Sequence, residues 1–162
     1  MHKTVLLLGS NLGDSKALIL KAKNLLEINL GPCVLNSSLY KSEAWGFDTT
    51  DSFLNQVLVF DSDLNPKEIL HIALDIEDKL GRERISDGYS SRTMDIDLLF
   101  YDQEIIKEDD IEIPHPRLHL RRFTLEPLVE IMPDFVHPII HKTLHKLLVN
   151  CTDNLSVIKL KN

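Results

Sequence analysis

The order in which apolar spacing switches between strand period and helix period limits this chain more than any single motif. Thr4–Leu8 is an apolar run that reads as a buried strand. Gly9-Ser10-Asn11-Leu12-Gly13-Asp14 reads as a turn needing positive φ that leads into a helix. That helix runs to about Leu30, with Leu18, Ala22, Leu25 and Leu26 on one face, and Gly31-Pro32 stops it. Cys33–Tyr40 reads as a second strand. Residues 41–53 form a long loop holding Trp45, the only tryptophan, and Leu54–Phe60 reads as a third strand. Asn65-Pro66-Lys67-Glu68 combines a cap residue, a proline at the first helical position and a glutamate at the third. Ile69, Ala73, Ile76 and Leu80 supply the apolar stripe of this second helix, and Gly81 ends it. Residues 82–93 are a glycine- and serine-rich loop carrying arginines, and 94–101 have strand composition.

The resulting βαββαβ order predicts an α+β, ferredoxin-like core: an antiparallel sheet flanked by helices. Residues 102–162 read as a C-terminal elaboration of the same single domain, 1–162. It contains a short extended pair near Glu104–Ile106 and Ile111–Ile113, helices near 124–131 and 143–149, and a returning strand at Leu155–Lys159. Such a topology hosts many activities, so chemistry has to be read from side chains.

In a strand, residues i and i+2 face the same side, roughly 6–7 Å apart along the backbone. Asp95 and Asp97 therefore share one face of the fourth strand, while Met94, Ile96 and Leu98 point to the core. Two carboxylates held side by side repel unless a cation lies between them. Hard divalent ions such as Mg²⁺ suit that donor set, and a pair of them about 4 Å apart can clamp a transferring phosphoryl group. An Asp-x-Asp pattern also occurs on the wet face of an edge strand. The arginines weigh against that plainer reading. All six (Arg82, Arg84, Arg92, Arg117, Arg121 and Arg122) lie between positions 82 and 122, whereas the twelve lysines run from Lys3 to Lys161. Arginine is suited to planar, bidentate phosphate contact. A local arginine cluster beside paired carboxylates points to a nucleotide triphosphate and phosphoryl-type transfer.

A net charge of −7 disfavours a polyanion groove or an anionic membrane surface. It also disfavours two rivals, a two-metal nucleotidyl transferase or nuclease and a nonenzymatic RNA-binding module of this topology. The latter would in addition need aromatic RNP segments that the strands lack. Cys33 and Cys151 are too few for a disulfide framework, and neither forms a Cys-x-x-Cys pair. The apolar run at Val5–Leu8 is too short for a signal peptide or membrane span, which predicts a cytoplasmic protein. Nothing in the sequence calls for more than a monomer.

Several further residues have two readings each. Phe53 and Asn55 share a strand face, where an aromatic ring and an amide can stack on and hydrogen-bond a flat heterocycle. They are equally a core phenylalanine beside a turn asparagine. His115, in the stiff segment Pro114-His115-Pro116-Arg117, is either a nucleotide contact or a capping histidine. Glu77 opposes the helix dipole near the end of the second helix, where it orients an arginine or simply meets solvent. His137, His141 and His145 have helical spacing, but Pro138 interrupts them and no carboxylate joins them, so no metal site is expected there.

Taken together, these motifs resemble the 6-hydroxymethyl-7,8-dihydropterin pyrophosphokinase family of folate biosynthesis over nearly the whole chain. The resemblance rests on Gly9-Ser10-Asn11-Leu12-Gly13-Asp14, Ser42-Glu43-Ala44-Trp45-Gly46-Phe47, Phe53-Leu54-Asn55-Gln56 and Ile76-Glu77 through Gly81-Arg82-x-Arg84. It rests most of all on Arg92-Thr93-Met94-Asp95-Ile96-Asp97-Leu98-Leu99, followed by Pro114-His115-Pro116-Arg117, Arg121, Phe123 and Glu126-Pro127-Leu128. It implies transfer of the β,γ-diphosphate of ATP, the co-substrate, to the hydroxymethyl group of the dihydropterin, releasing AMP. Asp95 and Asp97 would hold two Mg²⁺ ions. Arg82, Arg84, Arg92 and Arg121 would neutralise phosphates beside His115, with Arg82 and Arg92 catalytic. Glu77 and Leu98 would lie near the nucleotide, and Tyr89 would serve as an aromatic lid contact. Ser42 and Trp45 would line the pterin site, Asn55 would read the pterin edge, and Phe53 and Phe123 would sandwich its ring. Gly88 before Tyr89, and Ser90-Ser91 before Arg92, depart from the family's common pattern.

Overall fold

The computed structural model describes residues 1–11, 14–43, 52–81 and 94–161. Its main sheet is built from β1 (His2–Ser10), β2 (Cys33–Asn36), β3 (Tyr40–Glu43), β4 (Ser52–Ser62), β5 (Asp95–Tyr101) and β8 (Val157–Lys159). β1 lies between β4 and β5, antiparallel to both, and β2 and β3 each pair with β4. The single strand expected over Cys33–Tyr40 is thus two strands. Ser37 makes the break, because its Oγ accepts the Val57 N–H at 2.9 Å and its own N–H donates to the Val57 carbonyl at 2.9 Å. Counting β2 and β3 as one strand gives the ferredoxin-like order: fourth, first, third, second.

Helix α1 (Ser15–Leu30) and helix α2 (Pro66–Gly81) pack side by side on one face of this sheet. Asp14 caps α1 by accepting the Ala17 N–H at 3.2 Å. Gly31 ends it at φ 97°, a left-handed value that glycine adopts without a Cβ clash. The buried stripe of α1 is Ile19, Ala22, Leu26 and Leu30, so Leu18 and Leu25 sit at its margin rather than its centre. α2 starts with the expected reciprocal cap. The Glu68 N–H donates to Asn65 Oδ1 at 2.9 Å, and Asn65 Nδ2 donates to Glu68 Oε1 at 2.7 Å. Leu6, Leu8, Leu58, Phe60, Ile96 and Leu98 face these helices and form a dry core with Ile69 and Ile76.

The elaboration covers the opposite face. The hairpin of β6 (Ile106–Glu108) and β7 (Ile111–Ile113) leads to a 3₁₀ turn at Leu118–Leu120, then α3 (Arg122–Ile131) and α4 (Leu144–Val149), before β8 pairs with β3. Leu118, Leu125, Leu128, Leu144 and Leu147 close over Val5, Leu7, Val57 and Val59 in a second core. This lid spans only part of the face.

β5 carries one irregularity. Leu6 pairs with Leu98 but Val5 pairs with Phe100, so Leu99 is an extra residue, a β-bulge. Leu98 therefore faces the helices, whereas Leu99 and Phe100 both join the second core. The Leu99 carbonyl accepts the His115 N–H at 3.0 Å, which ties the Pro114–Arg117 segment to β5.

Candidate functional site

The site lies on the half-face that, among the described residues, the elaboration leaves open, and strand register assembles it. Gly9 pairs with Asn55 on one side and with Asp95 on the other, and Asn55 pairs in turn with Tyr40. Directly opposed residues in an antiparallel sheet project to the same face. Tyr40, Asn55, Gly9 and Asp95 therefore form one row across four strands. Phe53 and Ser42, paired with each other, lie one step outward in the row above. Asp97, paired with Leu7, follows Asp95 on β5.

Gly9 is not a turn residue, as its sequence context suggested. It is part of β1, and what requires glycine is proximity: a Cβ there would lie 3.3 Å from Asn55 Oδ1. Between Asn55 and Asp95 the sheet thus has a bare floor. The isolated glycine at the end of an apolar run was the available signal for this close approach. Asn55 is buried and fixed, donating from Nδ2 to Ser42 Oγ at 2.8 Å, with Ser42 also buried. That bond orients the amide.

Asp95 and Asp97 are half-buried and lie on the expected face. Glu77 sits on the other side of the strand. It is 5 % exposed, and its Oε2 accepts the Ile96 N–H at 2.7 Å. Among the described residues β5 is an edge strand, so this outward N–H is met by a side chain rather than by a neighbouring strand. Glu77 thus holds the backbone between the two aspartates from the helix side. The side chain of Leu98 lies in the helix-side core, which leaves only its backbone near the open half-face.

The 3₁₀ turn and the start of α3 bring cationic and aromatic groups to the rim. The Arg121 guanidinium lies over the Phe123 ring, 5.6 Å from its centroid. Burial pulls the pKa of Arg121 below its ordinary value, the Asp97 charge opposes that, and Arg117 adds to it. Among the described residues, Asp97 is thus a carboxylate whose charge reaches this cation. His115 Nδ1 accepts the Arg117 N–H at 3.2 Å, so its neutral form carries the proton on Nε2. Burial, with Arg121 and Arg117 nearby, pushes its pKa down to about 4. His115 is both a capping histidine and, at neutral pH, an uncharged donor. Arg122 turns the other way, toward the C-terminal segment (Nε to Asp153 O, 2.9 Å), whereas Arg117, though exposed, acts electrostatically on Arg121 and His115, so of the three described arginines Arg122 alone leaves the group.

Trp45, Arg82, Arg84, Tyr89 and Arg92 lie outside the described residues. Of the three histidines with helical spacing, only His145 lies in α4; His141 sits in a turn at φ 63°. Among the described residues no group of three or more His, Cys, Asp or Glu side chains could hold a metal ion. Asp95 and Asp97 nevertheless offer the hard oxygen donors that Mg²⁺ takes. This ion is usually held by one or two carboxylates, with phosphates and water completing its shell. The pair fits that role.

Paired carboxylates, a fixed amide and a half-buried arginine around a bare floor, on a ferredoxin-like α+β sheet, are parts suited to a transferase of the kinase type. A family model described as 7,8-dihydro-6-hydroxymethylpterin-pyrophosphokinase (HPPK) matches residues 5–133, and the chain belongs to that family. It is 39% identical over 134 residues to the 2-amino-4-hydroxy-6-hydroxymethyldihydropteridine pyrophosphokinase of Porphyromonas gingivalis, covering 81% of this chain and 90% of that protein. Against the protein of the same name from Aquifex aeolicus the identity is 43% over 138 residues, covering 85% of this chain and 84% of that one. The crystal structure of wild-type Plasmodium falciparum HPPK-DHPS superposes with a TM-score of 0.73 at 17% identity, over 92% of this chain and 44% of that one. That likeness shows the fold alone.

Proposed function

We propose that the open half-face is where this chain carries out its family's reaction. The reaction is diphosphate transfer in folate biosynthesis: ATP gives its β,γ-diphosphate to the hydroxymethyl group of 6-hydroxymethyl-7,8-dihydropterin. The hydroxyl oxygen forms a bond to the β-phosphorus, the bond from that phosphorus to the α,β-bridging oxygen breaks, and AMP leaves while the hydroxyl proton is released. The observation that carries the reading is the row Asn55–Gly9–Asp95, which sets an amide and a carboxylate on either side of a bare floor.

Each residue has a role in this reading. Asn55, oriented by Ser42, hydrogen-bonds the edge of the pterin lying over Gly9. Phe53 and Phe123 supply its two stacking surfaces, and Trp45 completes the pocket. Asp95 and Asp97 would hold two Mg²⁺ ions, and the chemistry these would supply there is neutralisation of phosphate charge and acidification of the substrate hydroxyl. Arg121, with Arg82, Arg84 and Arg92 from the neighbouring loop, takes up phosphate charge. Neutral His115 donates from Nε2 without adding charge. Glu77 acts from beneath, fixing the β5 backbone, and Tyr89 and the backbone of Leu98 contact the nucleotide. Phosphoryl transfer needs little covalent help from protein, so positioning and electrostatics suffice. We further read residues 1–162 as one domain and a cytoplasmic monomer, in keeping with the unpaired Cys33 and Cys151.

The decisive assay measures AMP released from ATP. Release that requires both hydroxymethyl-dihydropterin and Mg²⁺ supports the reading. Absence of AMP, together with binding to oligonucleotides, would replace it with one of the nucleic-acid rivals.

A further inference from the structure

The family model ends at residue 133, yet two polar links run from the segment beyond it into the elements that carry the site. The first reaches the start of α3. The first N–H groups of a helix lack intrahelical partners, and the residue before the helix commonly accepts one of them through a side-chain oxygen. Here that residue is Arg121, whose side chain can only donate, and it makes no capping hydrogen bond. Asp153 does the capping instead, from 31 residues away: its Oδ2 accepts the Arg122 N–H at 3.0 Å. Its Oδ1 accepts the Leu155 N–H at 3.0 Å, which fixes the carboxylate. Arg122 reciprocates, donating from Nε to the Asp153 carbonyl at 2.9 Å and from Nη2 to the Cys151 carbonyl at 3.3 Å.

The second link reaches β3. Val157 pairs with Ser42, the residue that orients Asn55. Next to it, the Lys159 ammonium meets Glu130 Oε2 at 2.7 Å, and the same carboxylate accepts Ser38 Oγ–H at 2.8 Å just before β3. Residues 150–161 thus grip the site from two sides.

We propose that Asp153 is a positioning residue for the pterin pocket. It caps α3 in place of Arg121, which leaves the Arg121 side chain at the rim beside Asp97, and it holds Phe123 at the angle needed for stacking. An acceptor at position 121 would stabilise the helix locally but would remove the cation from the site. Borrowing the cap from the C-terminal segment reconciles the two demands. The proposal rests on the placement of Arg121 and Phe123 in the site put forward above.

The test compares the wild type with Asp153→Ala, Asp153→Asn and Asn65→Ala, the last removing a cap of the same kind at the distant start of α2. Hydrogen exchange should show Asp153→Ala deprotecting the amides of 122–125 while 66–80 stay as in the wild type. Its KM for the dihydropterin should rise about tenfold with the KM for ATP changed less than about twofold, Asp153→Asn should fall between, and Asn65→Ala should lower Tm without moving either KM. The proposal is overturned if the exchange at 122–125 is unchanged. It is also overturned if the dihydropterin KM stays within twofold in Asp153→Ala, or if Asn65→Ala shifts it as far. A wild-type protein that releases no AMP sinks the diphosphate-transfer reading alone, and the exchange measurement then decides whether Asp153 holds α3.

Discussion

The two faces of one sheet teach opposite lessons about what strand residues are for. On the helix side, Leu6, Leu8, Leu58, Phe60, Ile96 and Leu98 are all buried in a core closed by α1 and α2. Each such side chain contributes about 1.5–3 kcal/mol by leaving water, and the face has no chemistry. On the other side the same strands start alike, with Val5, Leu7, Val57 and Val59 under the elaboration. They then change to Gly9, Asn55, Asp95 and Asp97 at their far end. One face maximises burial; the other gives up its far end to polar side chains and a glycine. The packed layer behind the site, with Glu77 on the Ile96 N–H, fixes the backbone from which Asp95 and Asp97 project.

The sharpest way to break that contrast is Asp97→Ala. Turnover should fall by about a thousandfold, equivalent to about 4 kcal/mol of transition-state stabilisation, with Tm nearly unchanged. Near-normal AMP release from this variant would remove the carboxylate pair from the mechanism. Leu6→Ala, one residue from Leu7 but on the helix face, should do the reverse. It should destabilise the fold by about 3 kcal/mol in urea unfolding while the surviving folded protein keeps its KM values. Gly9→Ala probes the boundary. The new methyl crowds Asn55 Oδ1, so the dihydropterin KM should rise about tenfold with ATP little affected, which steady-state kinetics can check.

The smallest expected effect comes from acid. Burial, with His119 and His141 nearby, pushes the His137 pKa down to about 4, below its unfolded value near 6.5. Between those two values the unfolded chain binds more protons, so the stability this group contributes is present above about pH 6.5 and is lost as pH falls toward 4. From pH 7 to 6 the loss from this group should be under about 1 kcal/mol, and His137→Asn, which keeps an acceptor for the Ile139 and Ile140 N–H groups, should make the profile shallower while leaving the like contribution of His115. A Tm profile of this variant parallel to that of the wild type would rule out His137 as the source.

Periodicity made most of the fold legible. Both long helices, the capping box at Asn65–Glu68, the four-strand core and the orientation of Asp95 against Ile96 follow from spacing of 3.6 or 2 residues. The break at Ser37 did not, because it depends on a side chain competing for the backbone of a strand 20 residues away. Gly9 was misread for a related reason. A glycine that bends the chain and one that admits a neighbour look alike until register shows what lies opposite. The three described arginines also part in a way that spacing does not show. Arg121 joins the site while its neighbour Arg122 serves the C-terminal segment, and no local pattern distinguishes two adjacent arginines whose partners lie across the chain.

The extra residue in β5 makes that strand two separable parts. Were Leu99 deleted, Leu98 would meet Phe100 in unbroken alternation, and the aspartates upstream would keep their outlook. What would vanish is the carbonyl that moors His115. A one-residue shortening would therefore loosen the His115 segment from β5 and spare the acidic pair, a dissection that no side-chain replacement at either group achieves.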